Sequence, residues 1–398
     1  MRFTSAVATN RNVEDAVREL AVEAKLQMEE HPLDLALVFL SPHFKPLAAQ
    51  VSESLRAALD PRVLVGTTGE SVIGPQAEIE RQPAIAIIAA HLPGVELVPF
   101  ALHDLDWEGT LGDAAAFRQA IAAPENPQLA VVVADPFSTP ASNLLDAFNT
   151  HYEGLPLIGG IASGADHPGG NALLLNDRIL SSGAVGVTIS GQVAVDVVVS
   201  QGCRPIGQPF TVTHLHGNEI MHLEGTPPLE RLQQLIPELS EADRELLKTS
   251  GLFIGRAIAS GHVGLGRGDF LVRGVIAIDP HKGSMAIADT LREGETIQFH
   301  VRDADTAEED LAMMLATQTL FAPPRGVFLF TCNGRGTRLY DHPDGDVSTI
   351  QEVLGGVDLA GFFCAGEFGP IGGKNFLHGH TASLVLFREP GEALRLRD

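Results

Sequence analysis

The chain is poor in cysteine, and its thiols do not form a disulfide pattern. Among 398 residues there are only three cysteines, Cys203, Cys332 and Cys364, and they form no CxxC motif. An odd number of cysteines cannot all pair within one chain, so a disulfide-stabilised secreted fold is not indicated. We therefore expect reduced thiols and a cytoplasmic location.

Basic residues are also scarce. Lys plus Arg number 27 against 50 Asp plus Glu, which leaves a formal net charge of -23. Most of the surface should repel a polyanion, and the release of condensed counterions could not drive binding. Nucleic acid and anionic membrane are therefore excluded as expected partners.

Long hydrophobic runs are missing as well. The apolar runs are about eight residues long, whereas roughly 20 are needed to span a bilayer as a helix. The N-terminal stretch MRFTSAVATNRNVEDAV lacks the apolar core of a signal peptide. With 44% hydrophobic residues to build a core, the composition predicts a soluble, unprocessed globular protein with no membrane partner.

What the chain does contain is an internal repeat. A buried strand, a helix and a second strand ending in glycine recur three times, with the middle strand beginning at 35, 129 and 327 and the glycine at 66, 159 and 361. The pattern predicts an α/β fold whose mixed sheets are built from repeated strand-helix-strand-helix-strand-strand units. In the third copy, residues 296–301 match the first strand of the second copy. Two lobes are predicted, 1–199 and 200–398.

Each repeat ends its middle strand pair at a glycine-rich corner, and two corners carry a carboxylate. Glu70 follows Gly69 in the first copy, and Glu367 follows Gly366 in the third. Glycine lets backbone N–H groups approach an anion, but it also simply permits tight strand ends. The GK[ST] of a phosphate loop is absent, so both interpretations remain open. The recurring carboxylate favours a binding site.

A second polar segment, Thr331-Cys332-Asn333-Gly334-Arg335, follows the strand of residues 327–330. Ligands of open α/β sheets collect at such carboxyl ends. Arg335 could clamp a ligand carboxylate or pair with Glu367 in a structural ion pair. Both alternatives place Asn333 and Arg335 beside the glycine corners.

Thiols and imidazoles suggest two further possibilities. Cys332 or Cys364 could act as a nucleophile with His378 or His380 as its base, although buried cysteine is also common packing. The two His-x-His pairs, His214/His216 and His378/His380, begin a metal pattern without a third ligand fixed by spacing. We predict no metal and no cofactor.

Several motifs resemble the FIST family, a sensory module of F-box and intracellular signal transduction proteins. FLFTCNGRGTRLY at 328–340 and LAGFFCAGEFGPIGG at 359–373 resemble its C-terminal domain, as does DFLVRGVIAIDP at 269–280. RVLVGTTGESVIGP at 62–75 resembles its N-terminal domain. The resemblance, which spans nearly the whole chain, singles out a set of residues: Gly66, Gly69, Arg273, Arg335, Gly361, Gly366, Glu367, Gly369 and Pro370.

The resemblance implies intracellular sensing of a small ligand, with amino acids or related metabolites as the usual class and a signalling protein as a partner. Both FIST halves occupy the chain, so we expect no output module within it. We predict a ligand-binding protein with an interlobe cleft, and more readily a sensor than an enzyme. The predicted ligand residues are Glu70, Gly69, Arg273, Asn333, Arg335, Gly366 and Glu367. The alternatives are a cysteine-dependent enzyme using Cys332, Cys364 and His378, or a protein-interaction scaffold.

Overall fold

The computed structural model describes residues 1–258, 264–266 and 268–391. The chain forms two compact units, and the described part of the first is Met1–Val199, Leu311–Leu377 and 381–391. The second unit comprises the described residues of Ser200–Asp310 together with His378–His380. These units are defined by contacts and divide the chain differently from the predicted sequence domains 1–199 and 200–398, which stay a prediction.

The first unit contains three copies of one structural repeat. The elements of the first copy are β1 (Arg2–Ala8), α1 (Val13–Met28), β2 (Leu35–Leu40), α2 (Ala48–Leu59), β3 (Val63–Thr68), β4 (Ser71–Ile73), β5 (Glu78–Glu80) and β6 (Ile85–His91). Those of the second are β7 (Val95–Leu102), α3 (Trp107–Gly112), α4 (Ala114–Ile121), β8 (Leu129–Ala134), α5 (Ala141–His151), β9 (Leu157–Ile161), β10 (Leu173–Leu175), β11 (Arg178–Leu180) and β12 (Ala184–Gly191).

An insertion interrupts the third copy after its first strand, β13 (Ala194–Gln201). The inserted elements are β14 (Cys203–His216), β15 (Glu219–Leu223), α6 (Pro228–Leu235), α7 (Glu241–Thr249), β16 (Phe253–Ala257), β17 (Phe270–Asp279), β18 (Ser284–Ile287) and β19 (Thr296–Arg302). The third copy then continues with α8 (Ala304–Gln318), β20 (Gly326–Cys332), α9 (Gly345–Leu354), β21 (Leu359–Cys364), β22 (Glu367–Ile371), β23 (Lys374–His378) and β24 (Thr381–Arg388).

The same strand order recurs in all three sheets of the repeat. Each sheet has six strands, and its first four strands all come from one copy of the repeat. Their orders are β1-β6-β2-β3, β7-β12-β8-β9 and β13-β24-β20-β21. In each, the middle strand pairs in parallel with the strand that follows a helix and antiparallel with the final strand of its copy. The predicted α/β fold of mixed sheets is confirmed.

The last two strands of every sheet come from a different copy. Hairpin β10-β11 of the second copy completes the first sheet, β22-β23 of the third completes the second, and β4-β5 of the first completes the third. The three copies therefore exchange one hairpin each in a closed cycle. The sequence pattern does not predict these hairpins, because four of their six strands have only three residues and give almost no periodic signal.

One assignment in the predicted repeat is wrong. Residues 296–301 form most of β19, which closes a six-stranded barrel with β14, β15, β18, β17 and β16 in the second unit. The position that corresponds to β7 is taken by β13 instead. The wrong assignment arises because β13 lies just before the insertion and β19 at its end. Both strands adjoin the repeat, so the sequence pattern could assign either of them to the same position.

Burial explains why the middle strands are almost entirely apolar, with Thr331 of β20, which donates to Asp346, as the polar exception. All six residues of β2 and of β8, and all seven of β20, are buried. One core is shared by the three sheets, and each sheet also packs on the helices of its own copy. Strands covered on both faces read as continuous apolar runs, as these do. Among the described residues, no helix is both long and apolar enough to cross a membrane.

The repeated glycines allow the parallel strands to lie closely side by side. A Cβ on Gly66 would lie 2.1 Å from the carbonyl oxygen of Val38, and one on Gly361 would lie 1.6 Å from that of Leu329. Both glycines pair directly with those residues across the parallel ladder. A packing role therefore accounts for the glycine that marks each repeat.

Gly361→Ala should lower the free energy of unfolding by about 3 kcal/mol or more, because the added methyl would meet a main-chain oxygen that cannot rotate away. Urea unfolding monitored by circular dichroism measures the change. Gly112→Ala is the matched control, since nothing lies within 4 Å of its added Cβ, and it should be neutral or slightly stabilising. Equal stability of the two variants would contradict the packing role.

Candidate functional site

The glycine corners of the three copies meet, as the repeat predicts. Ile161 donates its N–H to Gly366 O at 2.8 Å, and Glu70 donates its N–H to Ser163 Oγ at 2.8 Å. Ser163 Oγ in turn donates to the carbonyl oxygen of Phe363. These bonds join the first, second and third copies at the carboxyl ends of β3, β9 and β21. We call this junction, with the Asn333–Arg338 loop, the corner cluster.

The exposed part of the corner cluster is an ion pair between Glu70 and Arg338. Arg338 Nη1 donates to Glu70 Oε2 at 2.8 Å, and its Nη2 donates to Oε1, so the contact is bidentate. The side chain of Glu70 is 24% exposed and that of Arg338 is 42% exposed. Arg338 also donates to Asn333 O at 2.6 Å. Hydrogen bonding to Glu70 raises the pKa of Arg338 above its usual value.

Glu367, in the same corner cluster, is completely buried. Its Oε2 accepts hydrogen bonds from Thr381 Oγ1 at 2.8 Å and from Thr381 N at 3.2 Å. Burial raises the pKa of Glu367 to about 8, although Thr381, the guanidinium of Arg335 and the thiol of Cys332 each lower it. Glu367 is therefore protonated at neutral pH and can donate a hydrogen bond as well as accept one.

Arg335 pairs with Asp346 rather than with Glu367. Its Nη2 lies 2.6 Å from Asp346 Oδ1 and its Nε 2.9 Å from Oδ2, with both side chains fully buried. Nη2 also donates to Tyr340 OH at 2.6 Å. Burial tends to raise the pKa of Asp346, but attraction to Arg335 outweighs it and the pKa is lowered. This ion pair holds the Asn333–Arg338 loop onto the start of α9.

Glu78, from the exchanged hairpin of the first copy, completes the same buried network. Its Oε1 accepts the N–H groups of Asp346 at 2.9 Å and Val347 at 3.1 Å, the first turn of α9. Burial, and then repulsion from Asp346, raise the pKa of Glu78 to about 8. The network thus holds one guanidinium, one carboxylate and two protonated carboxyl groups. Sequence spacing gave no hint of Glu78 or Asp346 as partners.

The two cysteines of the predicted enzyme alternative both lie in the corner cluster. Burial raises the pKa of the Cys364 thiol well above its usual value, so Cys364 carries its proton at neutral pH. Cys332 interacts with Glu367, whose pKa it lowers. The carboxyl group of Glu367 is therefore an acid-base group beside Cys332, and the role of His378 as a base stays a prediction.

The structure places the predicted ligand residues in two groups. Gly69, Glu70, Asn333, Arg335, Gly366 and Glu367 belong to the first unit. Arg273 belongs to the second, where its Nε donates to Asp289 Oδ2 at 3.0 Å. His378, the candidate base of the enzyme alternative, also belongs to the second unit. The buried position of Arg335 indicates a positioning role, but its assignment as a ligand residue, like that of Arg273, stays a prediction.

Arg338, Ser163 and Thr381 were missed from the sequence. A signal was present for Arg338, which lies one helical turn after Arg335 in the same loop. Ser163 stands in the second copy close to where Glu70 stands in the first, so aligning the corners would have found it. Within the described residues, no group of three or more His, Cys, Asp or Glu side chains could hold a metal ion.

An acidic groove of the first unit lies away from the corner cluster. It has a volume of about 720 Å³ between α1 and the turn before β21, and its lining includes Glu19, Glu23 and Asp358. No lysine or arginine lines it. Such a groove offers carboxylates for an amine but no cation for a carboxylate, whereas the corner cluster offers both.

The family models match most of the chain. The FIST N domain matches residues 34–226, and the FIST C domain matches residues 228–370. The chain belongs to the FIST family, whose domains are generally described as sensory and ligand-binding.

Relatives extend over the full length of the chain. An uncharacterized protein of Mycobacterium tuberculosis is 37% identical over 389 residues, 97% of this chain and 100% of the relative. An uncharacterized protein of Mycobacterium bovis is 38% identical over 389 residues, 97% of this chain and 99% of the relative. Neither name specifies a ligand.

Two solved structures of cyanuric acid hydrolase align with the chain at low similarity. The enzyme from A. caulinodans gives a TM-score of 0.37 at 10% identity, covering 98% of this chain and 99% of its own. A second cyanuric acid hydrolase gives 0.35 at 10% identity, covering 98% and 100%. At these values the likeness carries no inference about function.

The stability of the fold should decrease as pH rises from about 4.5 to about 8, because in this window the unfolded chain releases a proton that folded Glu367 retains. Glu367→Gln keeps acceptor geometry for Thr381 and removes this proton. We therefore compare the unfolding free energy of the variant with that of the wild type at two pH values. The difference, variant minus wild type, should be larger at pH 9 than at pH 5 by on the order of a few kcal/mol.

Urea unfolding across pH 5 to 9 measures the effect of Glu367→Gln. Glu352→Gln, on the exposed side of α9, is the control for the change in charge and should follow the wild-type profile. A Glu367→Gln profile parallel to that of the wild type would show that Glu367 is already ionised at neutral pH.

Arg335→Ala should destabilise the fold by about 3 to 5 kcal/mol, because Asp346 would remain buried without its cation. Arg338→Ala removes an exposed arginine from the same loop and should cost only about 0 to 1 kcal/mol. Chemical unfolding at pH 7 compares the two variants. Similar losses for both would mean that the buried ion pair does not hold the loop in place.

Proposed function

We propose that this protein is a cytoplasmic sensor that binds a small zwitterionic metabolite, an amino acid or a close relative, at the corner cluster. The observation that carries the proposal is the exposed Glu70–Arg338 pair, which presents an acceptor for an amine and a donor for a carboxylate side by side. Family membership supports ligand binding, and the shortage of cysteine supports the cytoplasm.

In this proposal the ligand replaces the internal ion pair. The ligand carboxylate accepts two hydrogen bonds from the Arg338 guanidinium, whose planar fork suits bidentate recognition. The ligand ammonium donates to Glu70. An ion pair as exposed as this one contributes about 0 to 1 kcal/mol, so separating it costs the fold little.

The buried residues act by positioning the exposed pair. Arg335, held by Asp346 and Tyr340, fixes the loop that carries Arg338. Ser163 fixes the backbone of Glu70, and Gly69 allows Phe362 to pack closely, since an added Cβ would lie 2.8 Å from that ring. Glu367 lies deeper, as a protonated group below the binding surface. The predicted signalling partner stays a prediction.

Arg338→Ala should weaken ligand binding about 10- to 100-fold, the loss expected for a charge-assisted hydrogen-bonded contact. Wild-type protein is first screened by thermal shift against the twenty proteinogenic L-amino acids, and each hit is titrated by calorimetry. Arg81→Ala is the matched control, because Arg81 is an exposed neighbour that bonds to Thr337 Oγ1 and not to Glu70; its affinity should equal that of the wild type.

A third variant, Glu23→Gln, tests the acidic groove. Loss of affinity in Glu23→Gln with full affinity in Arg338→Ala would move the site from the corner cluster to the groove. Absence of any thermal shift in the amino-acid screen would remove the ligand class. Equal affinities of Arg338→Ala and Arg81→Ala would remove Arg338 from the site.

A further inference from the structure

The backbone register places two cysteines directly opposite one another. Cys332 is the last residue of β20, Cys364 is the last residue of β21, and the two are partners in the parallel ladder. Side chains of directly paired residues project from the same face of a sheet. Both thiols therefore lie on one face of the sheet, at the carboxyl ends of neighbouring strands.

The separation of paired strands suits a disulfide. Neighbouring strands lie about 4.7 to 4.9 Å apart, and disulfide-bonded cysteines have Cα atoms about 4.4 to 6.8 Å apart. Rotation of the two side chains about their Cα–Cβ bonds can then bring the sulfurs together. Burial, then repulsion from Glu367 and last repulsion from Cys332 raise the pKa of the Cys364 thiol, as expected for two sulfurs on neighbouring strands.

The two thiols differ in reactivity. Cys364 is completely buried. Its Sγ atom lies so close to Gly160 that a Cβ added there would be only 2.6 Å away. Cys332 is 6% exposed and accepts the N–H of Gly334 at 3.4 Å. The guanidinium groups of Arg335 and Arg338 also interact with Cys332. Because Cys364 has no exposed surface and Cys332 has some, Cys332 is the sulfur that an oxidant meets first.

We propose that Cys332 and Cys364 are a reversible covalent modification site, which a peroxide converts into an intrachain disulfide between β20 and β21. This inference does not rest on the proposed ligand. It assigns to the corner cluster a response to oxidants in addition to any ligand it binds.

The chemistry requires one peroxide and two thiols. The Cys332 thiolate attacks a peroxide oxygen, the O–O bond breaks, and the leaving oxygen takes a proton to become water or an alcohol. The Cys364 sulfur then attacks the resulting sulfenic acid, the S–O bond breaks, and water leaves with the Cys364 proton. The two sulfurs together lose two electrons, and the peroxide gains them.

The test uses the full-length folded protein. Reduced protein is treated with hydrogen peroxide and alkylated with N-ethylmaleimide, first folded and then in denaturant, before intact mass and peptide mapping. We expect the loss of two hydrogen atoms, a cross-linked peptide joining Cys332 to Cys364, alkylation of Cys203 only, and full reversal by dithiothreitol. Cys203→Ser, the matched control in the second unit, should form the same cross-link without alkylation.

Cys332→Ser and Cys364→Ala should both lose the cross-link. Three alkylated thiols in peroxide-treated wild type would overturn the inference, and so would oxygen added to Cys332 without a cross-link. A disulfide joining two separate chains would overturn it as well. Because the wild-type peptide map decides the outcome, an unfolded variant would not obscure it.

Discussion

The structure of the first unit depends on the pairing of each sheet with a hairpin from another copy. Strand β3 pairs with β10, β9 with β22, and β21 with β4. Without these partners, three strand edges would expose unpaired N–H and C=O groups, and a buried backbone group without a partner is energetically costly. The cyclic exchange satisfies all three edges together. It also brings Glu70, Ser163 and Glu367 to one junction, so the architecture and the site have the same origin.

Charge at this junction is balanced by one deeply buried cation. Arg335 has an ionised partner in Asp346, while burial raises the pKa values of Glu78 and Glu367 to about 8. Ionising either glutamate in a low-dielectric interior is unfavourable without a further cation. The interior therefore stores two protons at neutral pH, and the charges that a solute meets are those of Glu70 and Arg338. The strongly acidic composition does not decide the local character of this surface.

The sequence predicted those elements whose signal is local. Strands β2 and β8 begin at the residues predicted, and the spacing of Gly66, Gly159 and Gly361 identified the repeat. It also predicted that the corners meet. It could not reveal that Arg335 pairs with Asp346, because one arginine had several acidic candidates at similar distances along the chain. It missed Glu78 because hairpin β4-β5 pairs with a distant copy, and neither short strand has a periodic pattern.

The exchange also determines when the protein can finish folding. Glu78 and the backbone N–H of Asp346 are separated by 268 positions, yet they share a hydrogen bond at the centre of the network. At a synthesis rate of about 5 to 20 residues per second, the first hairpin waits on the order of tens of seconds for its partner to leave the ribosome. During that interval β4 and β5 have no sheet to join, and contacts of such long range also slow folding after release. The nascent first copy is thus a natural client for a chaperone that shields unpaired strand edges.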